Sequence, residues 1–505
     1  MTGAPDDPRS RRAGRYLFLL TLCAYLLLNN GVVQTDDVAH TLSAARGLVT
    51  TGSPTVTTPI VPGGGAARGA DGMAYAPHGF GMTLLFLPVA ALDRVVDPAA
   101  SAWLVPFLAS FLNAFLGAAA VWLFFRAALL LGARVGPAVW GSLLFAFASS
   151  WFVYATLSFD AVPAGTALLA AVVALLRWSF GTRAGVGLLV ASGTCAGLAV
   201  LIRLDSLVVL VPVGLGLLAW SWHREPGVRQ ALLSAAAWTT PILAALAVTG
   251  VYNDVRFGSP LDDGHRLDPF TKLTNPLLDG LAGQLVSPGK SVLLYTPLLL
   301  LALVGGRALW RRDRVLTAVV LGMTVLSLGF HAKLMNWPGD LAWGPRFLVP
   351  LLGLWLLPVP LLLERWHTWR PSARWAVAAV AAVSVVPQVL GVGVSNFFVT
   401  QYTWASARTP QQQWEVAATP LLHHARALVG VYPYPPPDRQ GGRFDVWPLN
   451  RPALPGSPPA SVLLAVPLLL VGVAGGAAGL AAFSRGRRQR APGEPVPELV
   501  PTAGR

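Results

Sequence analysis

The chain has 505 residues, of which 54% are hydrophobic and only 12% are charged, and its mean hydropathy is +0.57. A soluble domain carries about 25% charged residues, so this composition excludes an ordinary soluble globular protein. Apolar runs of about 18 residues or more recur along the chain, and runs of that length can cross a bilayer. The sequence therefore predicts an all-α polytopic membrane protein.

The formal net charge of +14 would suit a nucleic-acid-binding protein, so the positions of the charges matter. One side of the predicted membrane carries 22 of the 37 Lys and Arg residues but only 7 of the 23 acids. Because basic loops stay in the cytoplasm, this asymmetry indicates membrane topology and argues against a nucleic-acid partner. Only Cys23 and Cys195 occur, which excludes a disulfide framework and a cysteine-based zinc site.

The apolar runs and basic clusters predict about twelve crossings in the plasma membrane, with both termini in the cytoplasm. The first span is predicted at 16–33. The others are predicted at 101–125, 136–158, 161–180, 185–202, 206–222, 231–252, 291–309, 315–332, 347–363, 376–397 and 460–483. The predicted organisation is a cytoplasmic tail (1–15), a transmembrane bundle (16–398) with outer loops at 34–100, 253–290 and 333–346, an outer loop rich in Pro and aromatic residues (399–459), a last transmembrane helix (460–484) and a basic cytoplasmic tail (485–505).

The first outer segment contains two further predicted helices. Val38, Leu42, Ala45 and Val49 share one face at helical spacing, which predicts a short helix on the membrane surface. The run 79–96 is long enough to cross, but a crossing there would place the later basic clusters on alternating sides. We therefore predict a re-entrant or surface-lying helix on the outer side.

Ionisable residues concentrate at the predicted outer ends of the spans. Each costs about 2–3 kcal/mol if it faces lipid, so a ring of them on one face predicts a functional site. Together with one tryptophan in the same region, the candidates are Asp36, Asp37, His40, His78, Asp160, Arg203, Asp205, Arg256, Lys290, Trp343 and Arg346.

Simpler alternatives stay open for several candidates. Asp36 or Asp37 can cap the surface helix, and Asp160 can cap the span that follows it. Arg203 and Asp205 can form a structural ion pair at the membrane boundary.

Two further candidates also have simple explanations. His40 can be a plain interfacial histidine. Lys290 can extend its ammonium to the membrane surface from a buried stem. Its position after Ser287-Pro288-Gly289, at the entrance of a span, also suits anion binding at a helix N-terminus.

Several segments of the chain resemble the membrane-embedded glycosyltransferases of the GT-C class, which include protein O-mannosyltransferases, aminoarabinose transferases and many bacterial relatives. The acidic pair after the first span is the loosest part of this resemblance, and the SPG and WGPRF segments make it more specific. The segments are TDDVAHTLSAARGLVTTG (35–52), YAPHGFGMTLLFLPVAAL (75–92), LIRLDSLVVLVPV (201–213), YNDVRFGSPLDDG (252–264), SPGKSVLLYTPLLLLAL (287–303) and WGPRFLVPLL (343–352).

The resemblance implies a GT-C-like bundle and an enzyme that transfers a sugar from a polyprenyl-phosphate donor to a glycan, lipid or protein acceptor outside the cytoplasm. The acid after the first span is then the general base, which is Asp36 or Asp37 here. Asp36 is favoured because it lies one helical turn before His40, which can orient it. Lys290 and Arg346 are predicted to hold the lipid phosphate.

The chain also departs from the class. The acidic pair is Asp-Asp rather than Asp-Glu, and His78 replaces the second proline of the usual prolyl pair. A second Asp-x-Asp motif is not evident, so no cofactor is predicted and the need for a divalent metal stays open. Direct displacement of the phosphate predicts inversion at the anomeric carbon.

Two other classes of function compete with the transferase. A transporter or lipid flippase binds its substrate near the bilayer midplane, often at broken helices in related halves. A non-catalytic scaffold of the same fold can serve envelope assembly. The position of the charged residues at span ends favours the transferase over the transporter.

Overall fold

The computed structural model of the protein describes residues 7–33, 35–57, 66–181, 185–265, 272–340, 342–396, 399, 409–432, 446–448 and 459–485. Helices dominate, and the only sheet in these residues pairs the short antiparallel strands β1 (Ala67–Arg68) and β2 (Ala74–Tyr75). The chain is therefore an all-helical membrane protein. Most of the predicted outer loop 399–459 and the tail after 485 lie outside the described residues.

The helices follow each other with short connections. In the first half they are α1 (Pro8–Leu28), α2 (Asp36–Thr50), α3 (Phe80–Ala90), α4 (Pro98–Ser110), α5 (Leu112–Leu130), α6 (Val135–Phe147), α7 (Trp151–Ala155), α8 (Ala161–Phe180), α9 (Gly187–Ile202), α10 (Ser206–Arg224) and α11 (Val228–Phe257). In the second half they are α12 (Leu277–Val286), α13 (Val292–Tyr295), α14 (Leu299–Arg312), α15 (Arg314–Lys333), α16 (Leu352–Trp355), α17 (Pro358–Leu363), α18 (Pro371–Gly393), α19 (Pro420–Leu428) and α20 (Pro459–Arg485). Turns of 3₁₀ helix lie at Ala91–Arg94, Arg346–Leu351, Trp366–Thr368, Gln411–Trp414 and Val416–Ala418.

Eight helical stretches among the described residues are long and apolar enough to cross a membrane. They are Pro98–Leu130, Ala161–Phe180, Ser206–Arg224, Val228–Phe257, Arg314–Lys333, Arg346–Leu363, Pro371–Gly393 and Ala465–Ala482. Two predicted spans that are not among these eight stretches are each divided between two helices. The span 136–158 is divided between α6 and α7, and the span 291–309 is divided between α13 and α14. In the second of these, Pro297 lacks the N–H that would continue the helix. The total of about twelve crossings stays a prediction.

The bundle is built around α8, which packs against α5 and α9, while α9 packs against α11. Small side chains fill these contacts, because in lipid the helices associate through close van der Waals packing rather than through the hydrophobic effect. The buried alanines are Ala114 and Ala118 of α5, Ala167 and Ala171 of α8, and Ala196 and Ala199 of α9.

The first outer segment contains the predicted surface helix. Val38, Leu42 and Ala45 of α2 are buried in one cluster with Met82 and Phe86 of α3. This confirms the amphipathic face that the sequence predicted. Helix α3 has 11 residues and a length of about 16 Å, whereas a bilayer core is about 30 Å thick. Its length therefore fits a helix that does not cross, although its side of the membrane stays a prediction.

Two glycines fix the start of α3 against the end of α9. A Cβ atom at Gly79 would collide with the carbonyl oxygens of Leu201 and Ile202. A Cβ atom at Gly81 would lie 2.6 Å from the backbone nitrogen of Ile202. Only glycine permits this close approach, which brings the segment before α3 next to the turn between α9 and α10.

Candidate active site

Asp36 and Asp37 both lie in the first turn of α2, but neither supplies the cap. The cap is Thr35, whose Oγ1 accepts a hydrogen bond from the backbone N–H of Val38 at 3.4 Å. The capping alternative therefore does not explain the acidic pair. Asp36 points to the exposed side of the helix, whereas Asp37 faces residues from two distant segments.

Asp37 is the acid at the centre of the site. Its carboxylate oxygens lie 3.6 Å from Nε2 of His78 and 3.8 Å from Nη1 of Arg346, and 48% of its side chain remains exposed. Desolvation raises the pKa of Asp37, but the charges of His78 and Arg346 outweigh it and hold the pKa below its usual range. Asp37 is thus an ionised and accessible carboxylate at neutral pH.

Arg346 begins the 3₁₀ turn Arg346–Leu351, and the hydrogen bonds of its guanidinium are long or absent among the described residues. Nη2 donates to Oδ2 of Asp340 at 3.3 Å. Nε is buried and has no hydrogen-bond partner among the described residues. Asp340 itself has the unusual φ of 57°, next to Gly339 with φ of 68°. A non-glycine residue in this region is uncommon and is held by its surroundings.

We refer to Asp37, His78, Asp340 and Arg346 as the Asp37 cluster. Its ion pairs have N–O distances of 3.3 to 3.8 Å. Asp340 was not among the residues that the sequence singled out. The only sequence signal for it was its place in a short outer segment beside Arg346.

Lys290 does not reach this cluster with its ammonium. The side chain is buried, and Nζ donates to the backbone carbonyls of Asp340 at 2.8 Å and Ala342 at 2.6 Å. Burial lowers the pKa of Lys290 to about 7. The prediction that Lys290 holds a lipid phosphate is not supported, because the ammonium is already used to hold the loop that precedes Arg346.

Arg256 is also turned inward. It is buried at the end of α11, where Nη1 donates to the carbonyls of Ala76 and His78 and Nη2 donates to Oδ1 of Asn253 at 2.8 Å. Its hydrogen bonds fix the backbone of the His78 segment. We therefore assign Arg256 a supporting position rather than contact with a substrate.

Trp343 and His40 are buried as well. The carbonyl of Trp343 accepts a hydrogen bond from the Tyr154 hydroxyl at 2.7 Å, and its indole packs on His424 with 4.6 Å between ring centroids. Trp343 thus anchors the loop that carries Arg346. His40 is 3% exposed and makes no ion pair with Asp36 in the described residues, so the predicted Asp36–His40 partnership is not formed.

A second group of ionisable residues lies close by, and we refer to Asp160, Arg203, Asp205 and His331 as the Arg203 cluster. Arg203 contacts Asp160 at 3.1 Å and Asp205 at 2.6 Å, and Nε2 of His331 lies 2.9 Å from Asp205. Desolvation raises the pKa of Asp205, but Arg203 and His331 lower it well below its usual value. The ion-pair alternative for Arg203 and Asp205 is therefore correct, and Asp160 pairs with Arg203 instead of capping α8.

Phe347 separates the two clusters. Its ring lies 4.9 Å from the guanidinium carbon of Arg346 and 5.4 Å from that of Arg203, and it stacks on His331 at 5.0 Å. The two arginines therefore share one aromatic neighbour but have different acidic partners. No group of three His, Cys, Asp or Glu side chains suited to a metal ion occurs in the part of the chain that the structure describes.

Chemically, the Asp37 cluster combines an open carboxylate with a cation whose hydrogen bonds are incomplete. Such a carboxylate can take a proton from a hydroxyl group or stabilise a developing positive charge. The arginine can bind an anion such as a phosphate.

No protein-family model matches the sequence, and no curated protein matches it. Among solved structures, the chain is similar to ArnT from Cupriavidus metallidurans bound to undecaprenyl phosphate, with a TM-score of 0.47, 15% identity, and coverage of 83% of this chain and 76% of that one. It is also similar to the oligosaccharyltransferase AglB from Archaeoglobus fulgidus, with a TM-score of 0.46, 14% identity, and coverage of 79% and 58%. For the protein O-mannosyltransferase Pmt1-Pmt2 complex of S. cerevisiae the TM-score is 0.38 at 18% identity, with coverage of 54% and 36%. These proteins belong to the class of membrane glycosyltransferases that the sequence resembles.

Proposed function

We propose that the chain is a membrane glycosyltransferase that moves a sugar from a polyprenyl-phosphate donor to an acceptor on the outer side of the membrane. The observation that carries the proposal is the Asp37 cluster, in which an ionised carboxylate lies 3.8 Å from an arginine whose Nε has no hydrogen-bond partner among the described residues. A base and a phosphate-binding cation are the two groups that this transfer requires. The sequence segments that resemble GT-C enzymes support the same reaction.

Asp37 is the proposed base. The transferred sugar passes through an oxocarbenium-like transition state, which a nearby carboxylate stabilises. As the new bond to the anomeric carbon forms, Asp37 takes the proton of the acceptor hydroxyl. A phosphate is a good leaving group that needs no general acid, so a single carboxylate is sufficient.

Arg346 is the proposed phosphate ligand. Its Nη1 is turned toward Asp37. On the other edge of the guanidinium, Nε has no hydrogen-bond partner among the described residues and Nη2 makes only the 3.3 Å hydrogen bond to Asp340. A phosphate bound at that edge replaces the weak contact with Asp340 and receives charge as the glycosidic bond breaks. The acceptor then attacks from the side of Asp37, opposite the leaving phosphate, and the anomeric configuration is inverted.

The test compares two neighbouring carboxylates. Purified Asp37→Asn and Asp36→Asn variants are incubated with radiolabelled polyprenyl-phosphate mannose or polyprenyl-phosphate aminoarabinose, and loss of lipid-linked label is followed. Removal of a general base typically lowers the rate by about 10²–10⁴-fold, so Asp37→Asn should lose most transfer. Asp36→Asn is the matched control and should stay near the parent rate, because its side chain is exposed.

Donor binding and thermal stability are measured on the same samples. Both should be close to the parent in Asp37→Asn, because the base acts in the chemical step. A double Asp36→Asn, Asp37→Asn variant that transfers sugar at the parent rate would exclude a carboxylate base in this pair. A parent protein that neither binds nor consumes any polyprenyl-phosphate sugar would overturn the transferase itself.

A further inference from the structure

His78 belongs to the Asp37 cluster, but the proposed transfer step assigns it no role. It lies just before α3 and directly before Gly79, which packs closely against the end of α9, as does Gly81. Nε2 of His78 is buried and makes no hydrogen bond within the described residues, yet it points at Asp37 from 3.6 Å. A buried polar atom without a partner is uncommon and calls for an explanation.

We propose that His78 relays the proton that Asp37 takes from the acceptor, so that the carboxylate is restored for the next turnover. This inference rests on the proposed transferase function. The relay acts through Asp37, so His78 is a positioning and relay residue and does not itself touch the substrate.

The geometry supports transfer along this direction. The distance of 3.6 Å between Nε2 and Oδ1 is slightly too long for a hydrogen bond, and a shift of about 0.6 Å brings the two atoms within the reach of proton transfer. The backbone of His78 is fixed, because its carbonyl accepts a hydrogen bond from Arg256 at 3.3 Å. The ring of His265 lies 6.2 Å from that of His78, on a second segment of the outer face.

The direction of each pKa shift agrees with these two roles. The pKa of Asp37 lies below its usual range, so its protonated form readily gives up the proton. Burial lowers the pKa of His78, as do the nearby His265 and His40, while Asp37 and Asp160 raise it. The net pKa of His78 lies below that of a free histidine, so His78 is neutral at pH 7 and able to accept a proton.

The proton balance is complete without a further reactant. The acceptor O–H bond breaks as its oxygen bonds to the anomeric carbon, and the proton moves to Asp37. The electron pair of the broken glycosidic bond stays on the phosphate. Asp37 then passes the proton to Nε2 of His78, and the imidazolium releases its Nδ1 proton to solvent. A tautomeric shift of the remaining proton from Nε2 to Nδ1 restores the accepting nitrogen for the next turnover.

Chemical rescue provides the decisive test. The His78→Ala variant is assayed with the polyprenyl-phosphate sugar that the parent consumes, with and without imidazole in solution. We expect its kcat to fall by about tenfold or more, which is a smaller loss than that of the base itself. Imidazole should restore part of the loss in His78→Ala and leave the parent rate unchanged.

The pH profile gives an independent readout. Because His78 must be neutral to accept a proton, kcat of the parent should fall as the pH drops through the pKa of His78, below about 6.5. The His78→Gln variant keeps the size and polarity of the side chain but should lose this acidic limb.

The outcomes separate the relay from the transferase. If the parent transfers sugar and both His78 variants match its rate and pH profile, the relay is wrong and the transferase stands. If His78→Ala is slow, is not rescued by imidazole and regains full activity as His78→Gln, the side chain has only a structural role and the relay is again wrong. If the parent is inactive, the proposed transferase fails and the relay that rests on it fails with it.

Discussion

The Asp37 cluster and the Arg203 cluster contain the same kinds of residue, namely two aspartates, one arginine and one histidine each. They flank the same ring of Phe347. In the Arg203 cluster the ion pairs have N–O distances of 2.6 to 3.1 Å, and in the Asp37 cluster they have distances of 3.3 to 3.8 Å. Chemical composition alone therefore does not distinguish the tightly paired cluster from the loosely paired one.

The difference lies in how many hydrogen bonds remain to be made. Arg203 donates to both of its aspartates, and Asp205 has a second partner in His331. Arg346 and His78 each keep a buried nitrogen without a hydrogen bond in the described parts of the chain. A buried charge is tolerated only when it is well paired, so the incomplete cluster is the one that can gain from a ligand.

The strongest test of this comparison is Arg203→Ala. Removal of one partner from a buried ion pair costs about 3–5 kcal/mol, because the remaining charges are left buried. We expect a large loss of thermal stability, measured by unfolding of the purified protein in detergent. Arg134→Ala is the matched control, since Arg134 pairs with Glu364 but is 44% exposed, and such a pair contributes about 0–1 kcal/mol. Equal losses in the two variants would contradict a structural role for the Arg203 cluster.

A smaller effect is expected for Arg346→Ala, and it should appear in donor binding rather than in stability. Hydrogen bonds to charged groups contribute about 1.5–3 kcal/mol, which corresponds to roughly 10- to 100-fold weaker binding of the polyprenyl-phosphate sugar. Arg346→Lys keeps the charge but loses the two-pronged geometry, so its affinity should be intermediate. Donor affinity at the parent level in Arg346→Ala would remove this residue from phosphate binding.

The smallest of the three effects is expected for Lys290→Met, which leaves two loop carbonyls without their donor. Such a loss costs about 1–3 kcal/mol of stability. The folded pKa of about 7 lies below the unfolded value of about 10.4, so the unfolded state binds the proton more tightly. The contribution of Lys290 to stability should therefore rise from pH 7 to pH 10 and stay constant below pH 7.

Thermal unfolding of the parent and of Lys290→Met across that pH range measures this difference. The parent should gain stability relative to the variant as the pH rises. Parallel curves would show that Lys290 is not buried as a neutral amine, and a loss of donor affinity as large as that of Arg346→Ala would return it to the phosphate site.

Much of this arrangement could be predicted from local patterns. The apolar face of α2 followed from the spacing of Val38, Leu42 and Ala45, and the acidic pair stood out at the end of the first apolar run. The sequence did not show which of the two acids, Asp36 or Asp37, faces the candidate site. Helical spacing places Asp36 on the face of His40, but it does not reveal that His78 and Arg346, from distant segments, meet Asp37 instead.

Local sequence patterns also failed to distinguish Lys290 from Arg346. Both follow Gly/Pro breaks at the predicted start of a span, so the sequence treats them alike. What distinguishes them is that the backbone carbonyls of Asp340 and Ala342 accept hydrogen bonds from the ammonium of Lys290. Hydrogen bonds between segments that are far apart in the chain leave no periodic pattern, and therefore a single sequence does not contain a readable signal for them.

The contact of Gly79 and Gly81 with the end of α9 links the two clusters mechanically. The last residues of α9, Leu201 and Ile202, touch both glycines, and Arg203 follows directly in the chain. The segment that carries His78 and the residue that follows α9, Arg203, are therefore held together by backbone contact. A Cβ atom at either glycine would push this segment away from α9 and move His78 from its position 3.6 Å from Asp37.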